Sequence, residues 1–272
     1  MRTRTITAIV GAIIIAPFLV FFDTYAGAAL IQIAGVICTY ELLNATGLKK
    51  KWFLAVPLYI LALGLPLLVY FKENENFFRY SAVIFFLLSI YMLTVSVFSK
   101  GKIQVDNTSV LFTMSFYVLM SLNCLYLLRT EEQGALLYML PLVTSWSTDI
   151  FAYFSGRLFG RHKLIPDVSP KKTVEGAVGG FVCSVGITVL YGLLMKIFFE
   201  ASPNYLNLII AGTLMSIASM AGDLIASLVK RHYGIKDYGW LLPGHGGILD
   251  RFDSVMFIAP FVTMVITAVF YQ

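Results

Sequence analysis

Long apolar runs, broken at intervals by short polar segments, set the pattern of this chain. Nine runs are long enough for a helix that crosses a bilayer: about 5–22, 24–43, 52–71, 78–98, 108–128, 134–155, 175–198, 205–229 and 253–271. A hydrocarbon core about 30 Å thick is spanned by roughly 20 helical residues. Backbone amides find no water there, so segments that satisfy their own hydrogen bonds are expected. The pattern predicts an all-α, polytopic membrane protein of about nine transmembrane helices. No Pro- or Gly-rich linker and no evident repeat divides it.

Composition agrees with this. The chain is 58% hydrophobic and 13% charged, with a mean hydropathy of +0.81, whereas soluble domains carry roughly 25% charged residues. Cys38, Cys124 and Cys183 all lie in apolar runs, with neither pairing spacing nor histidines nearby, and read as small packing residues. Arg2, Arg4 and the apolar run after them look superficially like a secretion signal. The run is long for one and a second follows at once, so it reads as an uncleaved first helix.

Charge orients the spans. With nine of them, one side holds 16 of the 20 lysines and arginines, and the other holds only Lys72, Arg79, Arg129 and Lys196. The positive-inside rule makes the rich side cytoplasmic, with the N-terminus inside and the C-terminus outside. Topology accounts for the net charge of +5, so nucleic acid is not an expected partner.

Polar residues inside the apolar pattern are the candidates for chemistry. The first 130 residues hold one such acid, Glu41, which reads as a snorkelling or capping side chain near a helix end. From residue 144 the character changes. Thr144, Ser145, Ser147, Thr148 and Asp149 crowd the sixth run, with Tyr153 one turn on. Intramembrane acids face a bundle interior or a wet cavity; a polar helix-packing cluster is the alternative. In the next loop Ser169, Lys171, Lys172 and Thr173 lead into a helix start, an arrangement suited to a phosphate. Basic loops also bind anionic lipid headgroups less specifically.

The eighth run carries Ser216, Ser219, Asp223, Ser227 and Lys230 at steps of 3, 4, 4 and 3, which puts them on one helical face. A carboxylate that deep needs a cation, a metal or a proton. Lys236 and Asp237 follow, then Pro243-Gly244-His245-Gly246-Gly247, then Asp250, Arg251 and Asp253 at the start of the last run. Asp250 and Asp253 are i and i+3, hence neighbours on one face. Asp223, Asp250 and Asp253 are hard oxygen donors suited to Mg²⁺ beside phosphates. Lys230, Arg231, Lys236 and Arg251 supply counter-charge. The bland alternatives are a structural His245, a turn role for Asp237 and a local ion pair for Arg251.

Residues 227–253 read S-L-V-K-R-H-Y-G-I-K-D-Y-G-W-L-L-P-G-H-G-G-I-L-D-R-F-D. This closely resembles the signature of the CDP-diacylglycerol synthase (phosphatidate cytidylyltransferase) family, with every fixed position present from Ser227 to Asp253. The stretches D-x-F-A-Y-F-x-G-R-x-F-G-R-H-K-L from Asp149 and S-P-K-K-T-V-E-G from Ser169 are also similar to it. The short chain suits the bacterial type. The resemblance implies transfer of CMP from CTP to phosphatidic acid, giving CDP-diacylglycerol and pyrophosphate. It further implies Mg²⁺, K⁺ as a second cation, a homodimer among membrane lipids, and a bacterial inner-membrane location with the active site facing the cytoplasm.

On this reading residues 1–130 are an N-terminal scaffold, and 131–272 are the catalytic region with cytoplasmic loops at 156–174 and 230–252. Asp223, Lys230, Arg231, Asp250 and Arg251 are the expected catalytic groups, and Asp223, Asp250 and Asp253 the metal ligands. Ser169, Lys171, Lys172, Thr173, Lys236, Asp237, His245, Gly246, Gly247 and Asp149 are the expected substrate contacts. A CTP-dependent lipid kinase or another lipid cytidylyltransferase would share acids and lysines but not the complete string. A cation-coupled transporter would carry polar residues to both faces and show an inverted repeat.

Overall fold

The computed structural model describes residues 24–71, 74–130, 134–241 and 246–270. The helices are α1 (Tyr25–Ala45), α2 (Trp52–Tyr70), α3 (Asn74–Phe98), α4 (Val105–Thr130), α5 (Gly134–Leu137), α6 (Met139–Phe159), α7 (Val174–Phe199), α8 (Tyr205–His232) and α9 (Leu249–Phe270). Two short strands, β1 (Lys163–Ile165) and β2 (Ser169–Thr173), form an antiparallel hairpin. Among the described residues seven helical segments are long and apolar enough to cross a membrane, with α5 and α6 counted as one. The fold is that of an all-α polytopic membrane protein. The first expected span, 5–22, lies outside the described residues, and α9 follows the expected last one.

Element ends differ from the apolar runs. Within the expected loop 156–174, α6 continues to Phe159 and the hairpin occupies most of the rest. Within 230–252, α8 continues to His232 and α9 begins at Leu249. A helix need not stop where apolar residues do. Lys230, Arg231 and His232 fill the last turn of α8, where cations complement the helix dipole. The hairpin turns at Ile165-Pro166-Asp167-Val168, closed by Val168 N–H donating to the Ile165 carbonyl at 3.3 Å. Proline suits the second position of such a turn.

The chain forms two compact units. The first comprises residues up to Thr130 together with Tyr233–Arg251, the second Glu131–His232 together with the residues from Phe252 on. In the first, α1 packs on α2 and α4, and α3 packs on α2 and α4. Helix α3 is apolar on both faces. Phe77, Phe85, Leu88 and Met92 are buried, while Val83, Phe86, Ile90, Leu93 and Val97 recur at steps of 3 and 4 on an exposed face. A helix in water would carry polar residues there, so this face is built for lipid. Pro57 inside α2 removes the N–H that would bond the Phe53 carbonyl. The Tyr91 hydroxyl of α3 donates to that carbonyl instead, at 2.8 Å.

In the second unit α7 packs on α6 and α8 along Gly176, Gly180, Ser184, Thr188 and Gly192, a buried stripe with a step of four. A β-carbon at Gly176 would lie 2.7 Å from the Ala152 carbonyl oxygen, and one at Gly180 would lie 2.7 Å from that of Thr148. Small residues let the backbones close up, and hydroxyls then bond across the gap. Thr148 donates to Ser184 at 2.9 Å, and its hydroxyl lies 3.2 Å from that of Ser216. Thr144 and Thr188 share a hydrogen bond of 3.0 Å. One buried hydroxyl ladder thus joins α6, α7 and α8.

Candidate functional site

The charged centre of the second unit lies where β2, α8 and α9 carry their polar residues. Lys172, near the end of β2, forms an ion pair with Asp223 of α8. Ser227, one turn on, approaches the other Asp223 oxygen at 3.4 Å. Ser216, Ser219, Ser227 and Lys230 are buried, so the predicted polar face of α8 points into protein.

Gly222 explains how α9 comes close. A β-carbon there would lie 2.6 Å from the Phe257 β-carbon and 2.9 Å from the Asp253 carbonyl oxygen. The two helices therefore meet backbone to backbone next to Asp223 and Asp253. Asp253 is buried, accepts a hydrogen bond from its neighbour Ser254 N–H at 2.8 Å, and lies within electrostatic reach of Asp223, Lys230 and Asp149. Asp149 is itself exposed on α6.

Around this centre, Thr173 is the N-cap of α7, its hydroxyl accepting from Gly176 N–H at 3.1 Å. That bond uses a lone pair of the hydroxyl and leaves its proton to donate. Ser169 is half-buried and Lys171 exposed on β2. Arg231, exposed at the end of α8, points its Nε at the Val168 carbonyl from 3.4 Å. His162 is held to Glu175 by its ring Nδ1 at 2.7 Å and by its backbone N–H.

The first unit holds the other part of the expected set. Asp250 is 7% exposed, and its Oδ2 accepts from Tyr238 N–H at 2.7 Å and Gly247 N–H at 3.0 Å. Gly246 has φ +85°, a left-handed conformation that favours glycine, and a β-carbon there would sit 2.9 Å from Asp250 Oδ2. Lys236, Asp237 and Arg251 are exposed. Gly247 is buried. His245 lies outside the described residues. Sequence reasoning offered capping for Glu41 but missed which backbone it caps: it is 2% exposed, and it receives hydrogen bonds from Ile248 and Leu249 N–H. It caps a helix rather than snorkelling, and the helix is not its own.

Among the described residues no three His, Cys, Asp or Glu side chains gather into a group able to hold a metal. Mg²⁺ does not need such a cage. It commonly takes one or two carboxylates and completes its shell with substrate oxygens and water. Asp223 and Asp253, on helices that touch at Gly222, fit that requirement.

The sequence profile of the cytidylyltransferase family matches residues 2–269. The chain belongs to this family. It is 34% identical to proteins named phosphatidate cytidylyltransferase from Staphylococcus saprophyticus, over 273 residues, and Staphylococcus epidermidis, over 270 residues. Each alignment covers 98% of this chain and 99% of the relative. A Staphylococcus aureus protein of the same name is equally similar over 267 residues. The match is full-length, so the likeness of this cytidylyltransferase-family chain to its relatives is not confined to residues 149–253.

Proposed function

We propose that this multi-pass membrane enzyme transfers CMP from CTP to phosphatidic acid, yielding CDP-diacylglycerol and pyrophosphate. The observation that carries the reading is the Lys172–Asp223 pair with Lys230 and Asp253 close by, set in a chain whose full-length relatives bear that enzyme's name.

A phosphate oxygen of phosphatidic acid forms a bond to the α-phosphorus of CTP, and the bond from that phosphorus to the α,β-bridging oxygen breaks. Pyrophosphate leaves with the electron pair. The nucleophile is already an anion at neutral pH, so a strong base is not required. The obstacle is repulsion between two highly charged phosphates, and positioning with charge neutralisation lowers it.

Lys172, Lys230 and Arg231 neutralise phosphate charge. Asp223 and Asp253 would hold Mg²⁺, and the motif assigns Asp250 the same role. The ion would supply electrophilic stabilisation of phosphate oxygens. Ser169 and Lys171 extend the basic hairpin toward a phosphate, and the family resemblance assigns Lys236, Asp237, Arg251 and the stretch 244–247, with His245, to the nucleotide. Asp149 completes the polar wall. K⁺ as a second cation and a homodimer are further parts of this reading, resting on the family resemblance. The charge asymmetry of the loops supports a site facing the cytoplasm, and the bacterial relatives support a bacterial inner-membrane location.

The test supplies the purified protein with phosphatidic acid, Mg²⁺ and CTP carrying label at either the α- or the γ-phosphorus. The α-label alone should enter lipid. Entry of the γ-label would make it a lipid kinase.

A further inference from the structure

We propose that Glu41 is a positioning residue that fixes the start of α9, and with it Asp250, from a helix some 200 residues earlier in the chain. The role assigned to Asp250 rests on the cytidylyltransfer reading above; the hold exerted by Glu41 stands on geometry alone.

A helix N-terminus exposes backbone N–H groups with no partner in the helix. A Ser, Thr, Asp or Asn just before the first turn normally accepts from them. Here the preceding residues are Gly246, Gly247 and Ile248, and none has a side-chain acceptor. The acceptor comes from α1. Glu41 Oε1 takes the Ile248 N–H at 3.0 Å and Oε2 takes the Leu249 N–H at 2.9 Å. A carboxylate at this end also opposes the helix dipole favourably.

The loop is shaped around that carboxylate. A β-carbon at Gly239 or at Gly247 would collide with the Glu41 side chain. Two glycines from either side of the loop thus make room for one buried acid. Gly247 is also gripped from the other direction, since its N–H donates to Asp250 Oδ2 at 3.0 Å. The same Asp250 oxygen takes the Tyr238 N–H at 2.7 Å. Glu41 therefore secures residues 248 and 249 while Asp250 secures 238 and 247. Removing Glu41 takes both of these acceptors away from the loop end to which Asp250 is attached.

The test compares wild type with Glu41→Gln and Glu41→Asp in detergent. Glutamine keeps the shape but turns one acceptor into a donor facing an N–H. Aspartate keeps the charge but is one methylene short. Three readouts are taken: hydrogen exchange of peptides covering 246–251, Mn²⁺ binding followed by electron paramagnetic resonance, and kinetics of CMP transfer with Mg²⁺ varied.

In Glu41→Gln the 246–251 peptides should exchange faster while peptides from α3 and α4 do not. The half-saturating Mn²⁺ and Mg²⁺ concentrations should rise and kcat fall, about 10–100-fold in activity as for loss of a residue that orients a metal ligand. KM for phosphatidic acid should change little, and Glu41→Asp should recover part of the loss. Unchanged exchange in 246–251, or faster exchange with wild-type metal dependence and kcat, overturns the proposal. If Glu41→Gln does not fold, Glu41→Asp decides by the same criteria. If wild type transfers no CMP, the activity reading fails, and the exchange and Mn²⁺ arms still decide the role of Glu41.

Discussion

Lys172 and Asp223 form an ion pair that ties the hairpin to the apolar body of α8. Their side chains are 27% and 26% exposed, so the pair is neither fully buried nor a loose surface contact. Lys172→Ala leaves Asp223 without this partner, which should cost on the order of 1–3 kcal/mol, between the surface and buried limits. Thermal unfolding in detergent measures that loss. CMP transfer should fall by more than the loss of folded protein explains, because Lys172 also neutralises phosphate, and Lys172→Arg should restore stability better than activity.

Gly222 sets the approach of α8 to α9. An alanine there would gain helix propensity of up to about 1 kcal/mol. Its β-carbon would meet Phe257 and the Asp253 carbonyl, and overpacking of this kind costs about 1–3 kcal/mol. Gly222→Ala should therefore lower the unfolding temperature and raise the Mg²⁺ concentration that activity requires, whereas Gly64→Ala, in open space on α2, should do neither.

Gly246 carries φ +85° directly beside Asp250. Gly246→Ala should cost about 1–2 kcal/mol of backbone strain and push Asp250 aside. The expected result is a folded protein with a raised Mg²⁺ requirement, seen in a metal titration of CMP transfer.

Thr148 links three helices through its hydroxyl. Thr148→Val keeps the shape and removes those bonds. Hydrogen bonds between membrane helices contribute about 0.6 kcal/mol on average and at most about 1.7. The unfolding temperature should drop modestly, while activity per folded molecule should hold, since Thr148 belongs to the scaffold of the site.

The helices were legible because apolar runs of 20 residues allow little else in a bilayer. The polar face of α8 was legible too, since Ser216, Ser219, Asp223, Ser227 and Lys230 repeat with the helical period. The hairpin was not. Strands of three and five residues with Pro170 inside show no alternation, and what forms them is the Pro166 turn together with the Thr173 cap. The partner of Glu41 was not legible either, because a capping interaction across 207 positions leaves no local spacing to read. Its trace was an acid stranded in an apolar helix and, far away, a helix start with no residue able to cap it. Gly222 gave no signal, since a glycine in a membrane helix is common. Only the position of α9 reveals its use.

The most direct test of the account is CMP transfer by the purified protein with Asp223 or Asp253 replaced by Asn, and Lys196→Ala as a control outside the site. Phosphatidic acid, Mg²⁺ and α-labelled CTP are supplied, and chelation of Mg²⁺ is a parallel arm. Wild type and Lys196→Ala should label lipid, chelation should stop them, and returning Mg²⁺ should restore them. Both Asn variants should fall more than about 100-fold, beyond the cost of losing an outer partner of a metal ligand. Lipid labelling by Asp223→Asn at the wild-type rate, or no labelling by folded wild type at any Mg²⁺ concentration, would contradict the account.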